Sequence, residues 1–274
     1  MATCYRHPNR ETGVSCSNCG RPICPDCMTP TSVGMRCPEC AKQRTKVRTA
    51  ATMSGEPRVT MLIIGACVLM FLATGSFGAT SAGGNSLYTK FVLQGYVGIH
   101  LQHDYWRLVT SGFLHSGFLH IFFNMYLLWL LGQQLETVMG SRRFAAVYFT
   151  ALLCGSLGAL LQTTTTSVVG ASGAVFGLMG ATAVELRRRG YDPFSGGLGG
   201  LIVLNLVIGF IPSFHVAWGG HIGGLIGGVL AALAFDAAER RRMPALGYGL
   251  CAVLAAAAVV GAIAVSGNIH NYTL

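Results

Sequence analysis

The chain alternates long apolar runs with short polar connections, and this pattern sets its architecture. From residue 59 onward there are seven such runs: 59–77, 117–136, 144–162, 172–187, 198–212, 217–236 and 245–266. About 20 apolar residues in a helix cross the hydrocarbon layer of a bilayer. The pattern therefore predicts an all-α polytopic membrane protein, with the fifth run short and the seventh rich in Ala. Before residue 59 the pattern stops: residues 1–41 are polar and Cys-rich, and 42–58 are basic.

Composition supports this reading. Hydrophobic residues make up 52% of the chain and charged residues 11%, which excludes a single soluble domain. The net charge of +9 invites a nucleic-acid partner, but its placement argues against one. The connections 133–143, 187–198 and 236–245 carry Arg142–Arg143, Arg187–Arg188–Arg189 and Arg240–Arg241–Arg242. The connections on the other side carry only Lys90 and Arg107. Lys and Arg collect in cytoplasmic loops, so the N-terminus is expected inside and the C-terminus outside. No secretory signal is expected, because a polar segment precedes the first apolar run. The Ala/Gly-rich composition and lack of targeting signals suggest a bacterial plasma membrane. The linker's Lys42, Arg44, Lys46, Arg48 and Arg58, with Gly55 and Pro57, read as a solvated tether that can touch anionic headgroups.

Seven of the ten cysteines precede residue 41. With one histidine they form four pairs, each with a two-residue gap: Cys4/His7, Cys16/Cys19, Cys24/Cys27 and Cys37/Cys40. Eight such ligands suit two tetrahedral Zn²⁺ sites with no open catalytic position, so the module is expected to be structural. A disulfide cluster is disfavoured by the histidine and by the expected cytosolic setting. Forty residues bury little core, so zinc would supply most of the folding free energy. The spacing allows sequential or cross-braced pairing. The module resembles B-box and RING-like fingers, which implies Cys4, His7, Cys24 and Cys27 on one zinc and Cys16, Cys19, Cys37 and Cys40 on the other. A cytosolic protein partner for this module is possible. Cys67, Cys154 and Cys251 stand alone in apolar runs and read as packed thiols.

Chemistry concentrates at two helix starts. Ser172, within Gly170-Ala171-Ser172-Gly173, opens the fourth run, and His221 opens the sixth. Small residues recur every fourth position at Gly173, Gly177 and Ala181, and at Gly220, Gly224 and Gly228, with Gly223 and Gly227 in a neighbouring row. Such stripes let membrane helices approach closely. Packing these two stripes together would bring the hydroxyl and the imidazole within hydrogen-bond reach. In the second run His120 and Asn124 share a helix face, and His115 precedes them. Polar groups at membrane depth usually face a protein interior and carry function. Hydrolysis by serine needs a nucleophile, a base and donors to an oxyanion. Ser172, His221, and His120, Asn124 and the Ser172 N–H supply them in that order. No carboxylate accompanies them, so the base would be histidine alone. The connection 78–116, with Tyr96, Tyr105, Trp106 and Phe113, is too long for an unstructured loop and is expected to fold at the bilayer interface.

These residues resemble the rhomboid intramembrane serine proteases. The matching motifs are Trp106-Arg107, His115, His120-x3-Asn124, Gly170-x-Ser172-Gly173 and His221-x2-Gly224-x3-Gly228, over residues 59 to about 236. The resemblance implies a six-helix core at 59–236, followed by a connector and seventh transmembrane helix within 237–274. It implies Ser172 as nucleophile, His221 as general base, and His120, Asn124 and the Ser172 N–H as the oxyanion hole, with no catalytic cofactor. Trp106 and Arg107 would brace the first connection. Phe176 stands where relatives often have a tyrosine under the catalytic histidine, so only the phenolic hydroxyl is lost. The implied substrates are single-pass transmembrane proteins in the lipid bilayer. The competing readings are an inactive rhomboid-like adaptor and a channel with a polar path. The channel reading lacks the broken, symmetry-related repeats that many transporters show.

Overall fold

The computed structural model describes residues 2–42, 56–76, 85–195, 197–209 and 217–270. The chain divides into two compact units, Met1–Met53 and Ser54–Leu274. The linker positions Arg44, Lys46, Arg48 and Gly55 lie outside the described residues.

In the first unit, β1 (Ala2–Thr3) pairs antiparallel with β2 (Glu11–Thr12). The 3₁₀ turn Pro25–Cys27 leads into β3 (Thr29–Thr31), which pairs antiparallel with β4 (Gly34–Arg36), and α1 (Pro38–Lys42) closes the unit. Its buried centre is Ile23 surrounded by six cysteines. One aliphatic side chain is too little core for a domain this small, so the unit needs another source of stability.

The second unit is helical: α2 (Arg58–Thr74), α3 (Ser86–Phe91), a π-helical stretch Gly95–Leu101, α4 (Arg107–Thr110) and a 3₁₀ turn Ser111–Phe113. There follow α5 (Phe118–Met139), α6 (Ser141–Gln162), α7 (Ser172–Arg188), α8 (Leu198–Gly209), α9 (Trp218–Arg240) and α10 (Pro244–Ser266). Each apolar run is helical where described, apart from the end positions 75, 76, 117 and 217; position 77 and positions 210–212 lie outside the described residues. Among the described residues three helices, α6, α9 and α10, are long and apolar enough to cross a bilayer alone. The helices before and after a 96° bend, Arg107–Phe113 and α5, qualify as a pair. At 17 residues each, α2 and α7 extend only about 26 Å. For α7 the physical reason is local: it starts among protein groups at Ser172, so it need not reach the surface.

The core seam is made by glycine. A side-chain carbon on Gly224 or Gly228 would meet the backbone carbonyls of Gly173 or Gly177, and one on Gly173 would lie 3.2 Å from Gly220 O. The neighbouring row, Gly219, Gly223 and Gly227, rests on Gly158 and Cys154 of α6. α9 is thus wedged between α6 and α7 at backbone contact. Cys67 and Cys251 are buried as packed thiols, while Cys154 is half-buried.

One end of this bundle is tied by two sets of polar contacts. There Arg188 pairs with Glu185, Asp236 and Glu239, and Arg143 also pairs with Glu239. The arginine-rich connections predicted to share one side therefore meet there. Near the start of α2, buried Glu136 of α5 accepts from Val59 N (2.9 Å), Thr60 N (2.8 Å), Thr60 Oγ1 (2.7 Å) and Ser141 Oγ (2.6 Å). The first N–H groups of a helix lack intrahelical partners, and this carboxylate satisfies two of them.

Candidate active site

Ser172 is the first residue of α7 and His221 lies in the first turn of α9. The glycine seam sets these helix starts at one level, and Ser172 Oγ lies 2.9 Å from His221 Nε2. Phe176, one turn beyond Ser172, is buried and stacks on the imidazole, with centroids 4.2 Å apart and planes 17° apart. The imidazole is thus clamped between a ring and a hydroxyl. Among the described residues, His221 Nδ1 meets no hydrogen-bond partner, so no carboxylate orients the ring.

Gly170 sits where the other groups converge. Its φ is +124°, a conformation that favours glycine, and its N–H donates to Ser111 O at 3.0 Å. A side-chain carbon there would lie 2.7 Å from His120 Nε2 and 3.7 Å from Ser172 Oγ. His120 Nδ1 faces the Ser116 N–H at 3.4 Å and Ser116 Oγ at 3.1 Å. A backbone N–H can only donate, so Nδ1 accepts and the neutral ring carries its proton on Nε2, the nitrogen aimed at Gly170. His115 is fully buried and packs edge-on against His120 with centroids 5.1 Å apart. Asn124 is buried one turn along α5, and its Nδ2 donates to His120 O at 2.9 Å. One amide proton is thereby held by the helix and one remains.

The first connection is built around Arg107, which is 5% exposed. It pairs with Asp104 Oδ2 through Nη2 (2.7 Å) and Nε (2.9 Å). It also donates from Nη1 to Thr89 O (2.8 Å) and Val92 O (2.9 Å). Trp106, next in sequence, is largely exposed at the start of α4. Bracing thus falls to the arginine, while the indole is free to meet lipid.

A Rhomboid domain model matches residues 102–237. The putative rhomboid protease YdcA of Bacillus subtilis (strain 168) is 34% identical over 143 residues, 50% of this chain and 71% of that protein. The chain belongs to the rhomboid family. The rhomboid protease GluP of the same organism is 35% identical over 198 residues, 70% of this chain but 38% of GluP. The inactive RHOMBOID-like protein 8 of Arabidopsis thaliana is 33% identical over 116 residues, 40% of this chain and 33% of that protein. The matches to GluP and to the RHOMBOID-like proteins 5 and 1 of Arabidopsis thaliana span 38%, 41% and 35% of those relatives. Family and apolar helices together make this an integral membrane protein.

Outside the rhomboid domain, the eight ligand candidates gather into two clusters: Cys4, His7, Cys24 and Cys27, and Cys16, Cys19, Cys37 and Cys40. The grouping is cross-braced, which resolves the pairing that spacing left open. His7 Nδ1 lies 3.8, 3.3 and 3.5 Å from the sulfurs of Cys4, Cys24 and Cys27, and Cys19 Sγ lies 3.8 Å from Cys37 Sγ. With Zn–S about 2.3 Å and Zn–N about 2.0 Å, tetrahedral ligands stand about 3.5–3.8 Å apart, so both clusters fit the ion. Burial opposes ionisation of Cys4, but the N–H groups of Arg6, Cys24 and His7 outweigh it and bring its pKa down to about 6. Burial is likewise outweighed at Cys16 by the N–H groups of Cys37, Cys19 and Asn18, again to about 6. Each cluster thus holds one thiol poised as the thiolate a metal requires.

Several rhomboid site contacts escape sequence reading. Gln162 Oε1 accepts from Gly219 N at 2.8 Å, capping the helix that carries His221. Asp104 holds Arg107 three residues on, and Ser116 holds His120 four residues on. The last two offered a local spacing signal; Gln162 did not.

Proposed function

We propose that this rhomboid is an intramembrane serine endopeptidase acting on peptide bonds in or near transmembrane segments of single-pass proteins. The 2.9 Å contact between Ser172 Oγ and His221 Nε2 supports this most directly. Ser172 Oγ attacks the scissile carbonyl while His221 Nε2 takes its proton. The oxyanion is met by His120 Nε2–H, the free amide proton of Asn124 and the Ser172 N–H at the start of α7. Collapse breaks the C–N bond, the leaving amine takes the proton from His221, and water then hydrolyses the acyl-enzyme by the reverse proton path. Gly170, His115, Phe176 and Arg107 support these groups, Trp106 meets lipid beside Arg107, and no cofactor enters.

The membrane we assign is a bacterial plasma membrane, with the arginine end of the bundle and the N-terminal unit in the cytoplasm. The C-terminus and the Ser172 end then face outside. The N-terminal unit holds two structural zinc ions and offers a cytosolic protein a docking module.

Cleavage of a model single-pass substrate by protein in lipid vesicles tests the reading, comparing wild type with Ser172→Ala and His221→Ala. Cleavage by wild type alone is expected, together with fluorophosphonate labelling at Ser172. A wild type that neither cleaves nor labels at Ser172 would leave a rhomboid fold serving as an inactive adaptor.

A further inference from the structure

The seventh helix, α10, lies outside the six helices that carry the candidate groups, yet the chain beyond it turns back to the segment that leads into Ser172. Ala262 of α10 is fully buried in a cluster with Ile99, Leu108 and Leu160. Gly267, just past its end, lies so close to His100 that a side-chain carbon would stand 3.0 Å from the ring.

The next residues make directed bonds. Thr164 N donates to His270 O at 3.1 Å, and His270 N donates to Thr164 Oγ1 at 3.2 Å. The Thr164 hydroxyl also faces Asn268 O. His270 Nε2 lies 2.9 Å from Leu160 O, a last-turn carbonyl of α6 that the helix cannot satisfy itself. On its other side Thr164 O accepts from Tyr96 N at 2.9 Å. Val168 then exchanges two hydrogen bonds with Leu93, at 2.9 and 3.1 Å, and Gly170 N reaches Ser111 O. Thr164 is therefore gripped between the C-terminal strap and the first connection. From that anchor the chain runs eight residues to Ser172.

We propose that the seventh helix and its strap position the nucleophile, with His270 and Thr164 as positioning residues acting through the 164–170 segment. The inference rests on the serine-protease reading. Through the strap, α10 fixes the far end of the segment whose near end sets Ser172 beside His221. Small displacements of a reacting group far from any mutated residue lower the rate steeply.

The test uses the full-length protein in lipid vesicles with Thr164→Val, His270→Ala and His270→Gln. It measures kcat and KM on the single-pass substrate, fluorophosphonate labelling rate at Ser172, and Tm. The Val and Ala variants are expected to lower kcat and labelling ten- to a hundredfold with KM unchanged. His270→Gln, which keeps a donor for Leu160 O, recovers most of both. Wild-type kcat and labelling in Thr164→Val and His270→Ala overturn the proposal. So does a loss that His270→Gln shares and that follows Tm alone. If the wild type neither cleaves nor labels, the protease reading is what has failed, and amide exchange over 165–171 decides the strap. Faster exchange in His270→Ala than in wild type supports it, and equal exchange overturns it.

Discussion

Ser172 Oγ and His221 Nε2 lie 2.9 Å apart although 49 residues separate them. Two helix starts are held at this distance because Gly173, Gly177, Gly224 and Gly228 let the backbones of α7 and α9 touch. The hydroxyl can donate only to a bare Nε2, so the working imidazole is neutral with its proton on Nδ1. Acid protonates Nε2 and removes the acceptor. The cleavage rate is therefore expected to fall as pH is lowered and to recover on return. A rate that stays constant on acidification for as long as the protein keeps its fold rules out His221 as the base.

In the proposed mechanism His120 and Asn124 meet the oxyanion in the same step in which the dyad moves the proton, so their loss slows that step while leaving the nucleophile and base in place. Replacing either by Ala is expected to lower kcat about 10²–10³-fold, the usual cost of one oxyanion donor, while KM changes little. Ser116→Ala should do less, because it removes the hydroxyl but leaves the Ser116 N–H on His120 Nδ1 and the Nε2–H in place. If Asn124→Ala cleaves at the wild-type rate, its amide serves only the helix carbonyl that it bonds here.

The glycine seam predicts a sharp contrast between positions in one membrane. Gly224→Val forces its side chain into the Gly173 backbone, and overpacking costs about 1–3 kcal/mol or more. Both Tm and Ser172 labelling should fall together. Gly249→Val is the control, since nothing lies within 4 Å of a side-chain carbon there, and it should behave as wild type.

Phe176 holds His221 by its face, not by a hydrogen bond. Stacking of aromatic rings is worth about 0.5–1.5 kcal/mol, so Phe176→Leu should lower kcat roughly two- to tenfold. Phe176→Tyr keeps the ring and should retain activity. A Phe176→Leu enzyme as fast as wild type would show that the glycine seam alone orients the imidazole.

The parts legible in the sequence were those with local spacing: apolar runs of membrane length, glycine every fourth residue, paired ligands, and His120 with Asn124 one turn apart. What stayed hidden joins elements distant along the chain through backbone groups, which leave no pattern. Glu136 capping α2, Gln162 capping α9 and His270 answering a carbonyl of α6 are all of this kind. Arg107 was singled out by motif, but its partners Thr89 O and Val92 O come from the folded connection and not from residue type. The zinc pairing was undetermined for a related reason: four identical gaps suit either order, and only the hairpins between them decide.

Cross-bracing makes the two ligand clusters chemically distinct, one Cys₃His and one Cys₄. Sequential pairing would also give one site with His7, but with Cys16 and Cys19 as its partners instead of Cys24 and Cys27. Cys24→Ser therefore separates the two orders. In the cross-braced unit it damages the His7 site and leaves the Cys₄ site whole; in sequential order it would damage the all-cysteine site. Cobalt substitution reads the outcome, because thiolate-to-metal absorption follows the number of sulfurs on each ion. The expected spectrum of Cys24→Ser keeps the four-sulfur site and loses the other, with bound zinc falling from two to about one per chain. Chelation of wild type should unfold this unit outright, since its centre is one isoleucine among the cysteines that would hold zinc. A chelated unit that keeps its fold would place the stability elsewhere.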